Sequence, residues 1–102
     1  MIAHLSGKLS FKSVDSITLS VGGVGYEVHV PLSTFYSIPE EGSDLDLLIY
    51  THVKEDALKL FGFLTLREKE LFIKLLGVSG VGPKLALNIL SGMDTINLIS
   101  AI

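Results

Sequence analysis

A length of 102 residues limits the chain to one ordinary domain or two very small ones, and a formal net charge of −3 excludes a nonspecific nucleic-acid coat. The absence of cysteine excludes disulfides and thiolate metal sites, and it fits a reducing cytoplasm. No uninterrupted apolar run has the length of a membrane span, and no basic start followed by an apolar run indicates a signal peptide.

Charge is distributed unevenly along the chain. Residues 1–64 contain four basic and eight acidic side chains, a balance of −4, whereas residues 65–102 contain four basic and three acidic side chains, a balance of +1. Any contact with nucleic acid must therefore be local rather than spread over the whole surface. A hydrophobic content of 48% also favours an assembly in which other subunits cover part of the apolar surface.

The first half of the sequence alternates between apolar and polar residues, as β-strands do. Apolar side chains share one parity from Leu5 to Phe11, from Ile17 to Val21 and from Val24 to Val30. Gly22-Gly23 separates the last two runs and predicts a tight hairpin, because glycine adopts positive φ angles at little cost.

Residues 31–39 predict an irregular connection with a helical turn around Ser33–Ser37. Residues 45–53 and 57–63 follow as two further strands, joined at Lys54-Glu55-Asp56. Five short strands with a long connection after the third are typical of the OB fold, a small closed barrel. The pattern by itself also allows another small barrel.

At Thr65 the apolar period changes from that of strands to that of helices. Thr65-Leu66-Arg67-Glu68 predicts a capping box, in which the threonine caps the helix and the glutamate reaches back. Pro83 is a favourable first residue for a second helix, and Gly92 is predicted to cap its end. The buried faces are predicted at Leu71, Phe72, Leu75 and Leu76 in the first helix and at Leu85, Ala86, Ile89 and Leu90 in the second.

The end of the sequence predicts a third helix, capped by Asp94, within which the chain stops at Ile102. An apolar ending without a helix stop indicates a fragment. We therefore expect an α+β multidomain protein, with a five-stranded OB-fold barrel over residues 1–64 and an incomplete all-α helix-hairpin-helix domain over residues 65–102.

The stretch Gly80-Val81-Gly82-Pro83-Lys84 joins the first two predicted helices and has three functional interpretations. It fails as a Walker phosphate loop, because Pro83-Lys84-Leu85 lacks the hydroxyl that would hold magnesium. It fails as a dinucleotide fingerprint, because no strand precedes it and position 85 is leucine. The third interpretation is a helix-hairpin-helix, and a plain connector between core helices remains its alternative.

A helix-hairpin-helix is a phosphate-binding structure. Val81 would fill the interior of the turn, the amides of residues 80–84 would point outward at a helix N-terminus, and Lys84 would add a point charge. Such a site binds a backbone phosphate and reads no base, so it suits recognition of DNA shape. The two helices are predicted to pack through Leu75, Val78, Ala86, Ile89 and Leu90.

Over essentially its whole length, the sequence resembles the N-terminal half of the RuvA family, the Holliday-junction-binding subunits of branch-migration complexes. The resemblance lies in the opening Met1-Ile2 and in VGGVGYEVHVP at 21–31, EDALKLFGF at 55–63 and GVGPKLALNILSGM at 80–93. It implies an OB-fold domain, a helix-hairpin-helix domain and a fourfold-symmetric tetramer that binds four-way DNA junctions during recombination and repair. It also implies a cytoplasmic protein without catalytic activity or cofactor, whose partner is the ATP-driven hexameric RuvB motor.

Several structural elements of the family's proteins lie beyond the residues that carry the resemblance. The family carries a second helix-hairpin-helix soon after this point, then a linker and a small C-terminal domain that engages the motor. For these 102 residues alone we therefore expect weaker junction binding than for a chain with both helix-hairpin-helix motifs, and no support of branch migration. Their sequence leaves the oligomeric state open.

The resemblance also implies which residues contact DNA. The phosphate-binding turn corresponds to Ser79, Gly80, Val81, Gly82 and Lys84. Taken alone, the Ser79 hydroxyl is at a position where a local hydrogen bond within the turn is the more common use.

The family's acidic pin, a pair of carboxylates that repels phosphates at the crossover, corresponds to Glu55 and Asp56. Lys54 and His29 are further candidates for contact with DNA near the crossover. Without the resemblance, all four residues are also compatible with ordinary solvated surface positions.

Two other functional classes remain as alternatives. A metal-dependent nuclease would use Glu55, Asp56, Asp44 or Asp46, but adjacent carboxylates usually point in different directions and no ligand spacing is present, so we expect no metal site. An OB-fold interaction or RNA-binding module without junction selectivity would need a stripe of aromatic residues for base stacking. The aromatic residues with core-like parity are Phe11, Tyr26, Phe61 and Phe63.

Overall fold

Five β-strands form the barrel of the computed structural model, which describes residues 1–92. They pair in the order β1-β2-β3-β5-β4, and β4 also pairs with β1, so that the sheet closes into a barrel. This arrangement confirms the predicted five-stranded barrel of OB type. The strands are β1 (His4–Lys12), β2 (Ser16–Val21), β3 (Val24–His29), β4 (Asp44–Lys54) and β5 (Ala57–Phe63).

The barrel interior is filled by the inward parity of each strand, as the alternation predicts. Gly22 and Gly23 turn the β2–β3 hairpin with φ angles of 58° and 86°. The short helix α1 (Leu32–Ser37) confirms the predicted helical turn, and Phe35 packs from it against the barrel core. The buried core residues are Leu5, Leu9, Ile17, Leu19, Val28, Val30, Ile38, Leu45, Leu47, Ile49 and Leu60.

Two apolar residues depart from the predicted alternation. Phe11 is 56% exposed, because the pairing of β1 with β2 shifts between Leu9 and Phe11. A bulge of this kind inserts one residue and moves the following side chains to the other face. Val24 is also exposed, since it directly follows the hairpin turn. The prediction that Phe11 and Val24 lie in the core is therefore wrong.

Two helices pack against the outer face of the barrel, α2 (Leu66–Leu76) and α3 (Pro83–Gly92). Phe61 and Phe63 alternate along β5 with Leu60, which points into the barrel, so the two phenylalanines face the helices. This second cluster couples the helices to the barrel. Its buried members are Phe61, Phe63, Leu71, Phe72, Ala86 and Leu90.

The cap of α2 differs in part from the predicted capping box. Thr65 Oγ1 accepts a hydrogen bond from the Glu68 amide at 3.2 Å, as predicted. The Glu68 carboxylate does not return to the Thr65 amide. It accepts instead from the hydroxyls of Thr65 at 3.0 Å and of Thr34 in α1 at 3.4 Å, because both hydroxyls lie within reach.

The predicted helix–helix contacts need a correction at two positions. Leu85 is 47% exposed and Val78 is 53% exposed, whereas Ala86 and Leu90 are buried as predicted. Leu85 lies in the first turn of α3, on the side facing a cleft rather than the cluster, and Val78 lies in the connecting turn. Gly92 is the last residue of α3, and the third helix predicted from Asp94 lies outside the described residues.

A stability test follows from the close approach of β2 to Gly7. A Cβ at this position would lie 2.2 Å from the Ser20 carbonyl oxygen and 2.8 Å from Val21 Cγ2. We expect Gly7→Ala to lower the free energy of unfolding by about 1–3 kcal/mol, measured by chemical denaturation, because the contact is with backbone. Gly25→Ala is the control, since its Cβ would meet a single neighbour, a Thr18 methyl group at 3.3 Å. Equal stability of the two variants would contradict the prediction.

Candidate nucleic-acid interface

The connection from α2 to α3 is a sequence of tight turns. The Gly77 amide donates to the Lys74 carbonyl, the Val78 amide to the Leu75 carbonyl and the Val81 amide to the Val78 carbonyl, each at 3.0 Å. Gly80 has a φ of 85°, which side chains disfavour, and this angle allows the chain to reverse before α3. Val81 is partly buried and packs against the second cluster, so it fills the interior of the turn as predicted.

The predicted row of outward amides over residues 80–84 is interrupted at two places. The Val81 amide is used inside the turn, and Pro83 has no amide hydrogen. Within residues 1–92, the amides of Gly80, Gly82 and Lys84 donate no hydrogen bond to the protein. Free amides therefore lie in the turn at Gly80 and at the N-terminus of α3 at Gly82 and Lys84, where the helix dipole favours an anion.

The side chains at this turn are open to solvent. Ser79 and Lys84 are both exposed, and a Cβ on Gly82 would have no neighbour within 4 Å. The Ser79 hydroxyl makes no hydrogen bond in the described part of the chain, so the local turn bond considered from the sequence is not formed there. This side of the turn is therefore open to solvent at Ser79, Gly82 and Lys84.

The positive φ of Gly80 gives a second stability test. We expect Gly80→Ala to lower the free energy of unfolding by about 1 kcal/mol, because a Cβ disfavours this backbone conformation. Gly80→Asn should lose less, since asparagine adopts the left-handed region more readily. Thermal unfolding of the two variants measures the difference, and an alanine variant as stable as the parent chain would refute this view of the turn.

The outer face of β4 and β5 extends beyond the part that the helices cover. Tyr50 and Phe61 lie on this face and contact Phe72 of α2, at ring-centroid distances of 5.6 and 5.2 Å. Further along the same face, His52 lies directly opposite Lys59 on the paired strands. Side chains two residues apart on a strand share a face, so His52 and Lys59 lie next to Tyr50 and Phe61 on the same surface. We call the part of this surface formed by His52 and Lys59 the polar wall.

This polar wall faces the N-terminus of α3 across a cleft of about 460 Å³. Lys54 and Lys59 line the cleft from the barrel, and Lys84 lines it from α3. Within residues 1–92 none of the three lysines forms an ion pair, and Asp15 contributes the carboxylate that lines the cleft. Positive charge is therefore concentrated here on a chain whose net charge is −3.

His29 also lines the cleft, where its ring lies 5.6 Å from the ring of Phe61. Its Nε2 lies 3.9 Å from the Glu27 carboxylate, and 30% of its side chain is exposed. The fold thus brings together His29, Lys54 and Lys84, which the sequence analysis treats separately. Sequence reasoning missed His52 and Lys59, although their parity with Tyr50 and Phe61 was available as a signal.

Glu55 and Asp56 form the two-residue turn between β4 and β5, because the flanking residues Lys54 and Ala57 are the last cross-strand pair. Both carboxylates belong to exposed residues, and neither forms an ion pair or a side-chain hydrogen bond within the described residues. Since Lys54 lines the cleft, the acidic turn adjoins one end of it.

The carboxylates considered for a nuclease are not brought together. Asp44 and Asp46 lie at the start of β4 and Glu55-Asp56 follow its end, with the length of an 11-residue strand between them. Asp44 contacts Lys8 Nζ at 3.4 Å, and Asp46 accepts a hydrogen bond from the Ser6 hydroxyl. Residues 1–92 contain no group of three or more histidine, aspartate or glutamate side chains arranged to hold a metal ion.

Among the helices of the described residues, none is long and apolar enough to cross a membrane.

Comparisons with known proteins identify the family. Residues 1–62 match the family model described as RuvA N terminal domain. Proteins named Holliday junction branch migration complex subunit RuvA are 57% identical in Geobacter sp. (strain M21), 58% in Syntrophotalea carbinolica and 48% in Syntrophus aciditrophicus. Each alignment covers all of this chain and 50 or 51% of the relative, so the chain spans about half the length of these relatives. The resemblance seen in the sequence motifs is thereby confirmed, and the chain belongs to the RuvA family.

Proposed function

We propose that this chain binds four-way (Holliday) DNA junctions through their backbone phosphates, as a non-catalytic part of a branch-migration assembly in recombination and repair. The observation that carries this proposal is the lysine-lined cleft ending at the free amides of α3, on a chain that is otherwise acidic. The names of the relatives, which refer to Holliday junctions and branch migration, support it.

Residues 65–102 act in this proposal as a helix-hairpin-helix domain, and residues 1–64 act as the OB-fold domain. One phosphate of a junction arm accepts hydrogen bonds from the amides of Gly80, Gly82 and Lys84, and the Lys84 ammonium adds a charge. The exposed Ser79 hydroxyl supplies a further donor, while Val81 holds the turn in shape. Because no base edge is read, the site selects DNA by shape and not by sequence.

Glu55 and Asp56 act as an acidic pin near the crossover. Their exposed position on a hairpin turn, unpaired within the described residues, leaves both charges available to repel phosphates. Lys54, beside the turn, and His29, which lines the cleft next to Phe61, contact phosphates of the strands that the pin keeps apart.

The assembly is a homotetramer, and its fourfold symmetry matches the four arms of the junction. Exposed apolar side chains on α2, Leu66 at 61% and Ile73 at 43%, support contact with other subunits. A separate ATP-driven motor, RuvB, supplies the energy, and the chain has no enzymatic activity or cofactor. The absence of cysteine supports a location in the cytoplasm.

The alternative, an OB-fold interaction or RNA-binding module, finds less support. Phe61 and Phe63 are buried against the helices and are not available for base stacking. Phe11 and Tyr36 are exposed, but they lie on separate elements, at the bulge of β1 and on α1, and two such residues do not form a stacking stripe.

Binding to a four-way junction and to a linear duplex of equal length, at matched moderate salt, tests the proposal. We expect preference for the junction by a complex whose mass corresponds to a tetramer or a larger assembly. Equal affinity for both DNAs would contradict junction recognition, and preference for single-stranded RNA would favour the alternative.

A further inference from the structure

We infer that the barrel wall of the cleft carries a second phosphate subsite, formed by Lys59 and His52, which binds the DNA arm already held at the N-terminus of α3. This inference rests on the proposed function and extends it, because it assigns to the barrel a contact that does not belong to the glycine turn. The ligand of the subsite is a backbone phosphodiester.

The register of β4 and β5 places the two side chains together. His52 and Lys59 are direct cross-strand partners, and both line the cleft opposite Gly82 and Lys84. DNA carries a negative charge for about every 1.7 Å of helix axis. A duplex with one phosphate at the amides of α3 therefore presents neighbouring phosphates to the facing wall of the same cleft.

The charges around Lys59 favour an anion there. Lys54 and Lys84 line the same cleft, and within residues 1–92 none of these lysines is neutralised by an ion pair. The other charged or titratable groups in the lining are Asp15, His29 and His52. Like charges in one cleft repel each other, and a bound phosphodiester would relieve this repulsion.

The burial of one ring nitrogen of His52 is an independent observation in favour of the subsite. Its Nε2 is shielded from solvent and has no hydrogen-bond partner among the described residues. The centroid of its ring lies 6.4 Å from that of Tyr50 and 6.4 Å from that of Phe61. Buried polar atoms without a partner are rare in folded proteins. A small rotation of the ring toward the cleft would let this nitrogen contact a phosphate oxygen bound at Lys59.

Substitution of Lys59 tests the subsite on the whole chain. We expect Lys59→Ala to weaken binding to both junction and linear duplex by about tenfold for each protomer in contact with DNA, and to reduce the slope of log affinity against log salt by about 0.9 for each lost phosphate contact. Lys8→Ala is the matched control, because it removes the same charge from β1, where Lys8 pairs with Asp44 outside the cleft. Its affinity should change less than twofold. If Lys59→Ala fails to fold, Lys59→Gln provides the same measurement.

Nuclear magnetic resonance gives a readout that does not depend on junction selectivity. The imidazole signals of His52 should shift when a short linear duplex is added, and the shift should be lost in Lys59→Ala. A parent chain that binds both DNAs equally would contradict the proposed function, yet these signals would still identify the subsite. Unchanged affinity of Lys59→Ala, an unmoved His52 signal, or an equal loss in Lys8→Ala would overturn the inference.

Discussion

Replacing Lys84 by alanine is expected to weaken binding to a four-way junction by about tenfold per site and to make the salt dependence shallower. A hydrogen bond to a charged group contributes about 1.5–3 kcal/mol, and solvent screening at this exposed side chain favours the lower end of that range. Each lost phosphate contact should reduce the slope of log affinity against log salt by about 0.9. A tetramer loses the contact at every arm, so its total effect is larger.

The same substitution should leave the fold intact. Lys84 is exposed and forms no ion pair within residues 1–92, so the unfolding midpoint of Lys84→Ala should match that of the parent chain. Titration of a labelled junction over a series of salt concentrations measures both affinity and slope, with Lys8→Ala as the charge-matched control. Unchanged binding at low salt would remove Lys84 from the site and leave only the free amides of the turn as the phosphate ligands.

The barrel was predictable from the sequence because alternation is a local property. Residues such as Leu19 and Val28 reach the core through the period of a strand, and Gly22-Gly23 fixes the hairpin between them. The bulge between Leu9 and Phe11 was not predictable in the same way. No glycine or proline marks it, and its position depends on how β1 curves to meet both β2 and β4.

The candidate site likewise has a part that local sequence predicts and a part that depends on the folded arrangement. The turn around Gly80 was predictable, because helix signals and glycines lie within a few residues of each other. The cleft was not predictable, because Lys59 and Lys84 come to line one cleft only after the barrel has closed and α3 has packed on Phe61 and Phe63. Strand parity shows that His52 and Lys54 share a face, but only the fold shows what lies opposite that face.

Removing the charges of the acidic pin is expected to tighten junction binding while closing the crossover. The variant Glu55→Gln/Asp56→Asn keeps the shape of both side chains and removes only the repulsion between carboxylates and phosphates. Two unit charges 4 Å apart in water interact by about 1 kcal/mol, so two lost carboxylates correspond to at most about thirtyfold tighter binding for each pin. The gain should fade between 0.01 and 0.15 M salt, because the screening length falls from about 30 Å to about 8 Å.

Measuring both the binding affinity and the opening of the crossover distinguishes an acidic pin from an ordinary solvated turn. The fluorescence of a 2-aminopurine base placed at the crossover reports unstacking, and it should fall in the pin variant although the junction is bound more tightly. Glu40→Gln/Glu70→Gln is the control, because it removes two exposed carboxylates that lie outside the cleft and the β4–β5 turn. A general change in net charge would move affinity in both variants and leave the fluorescence unaltered. Only a local repulsion at the crossover predicts opposite changes in affinity and opening that are confined to Glu55 and Asp56.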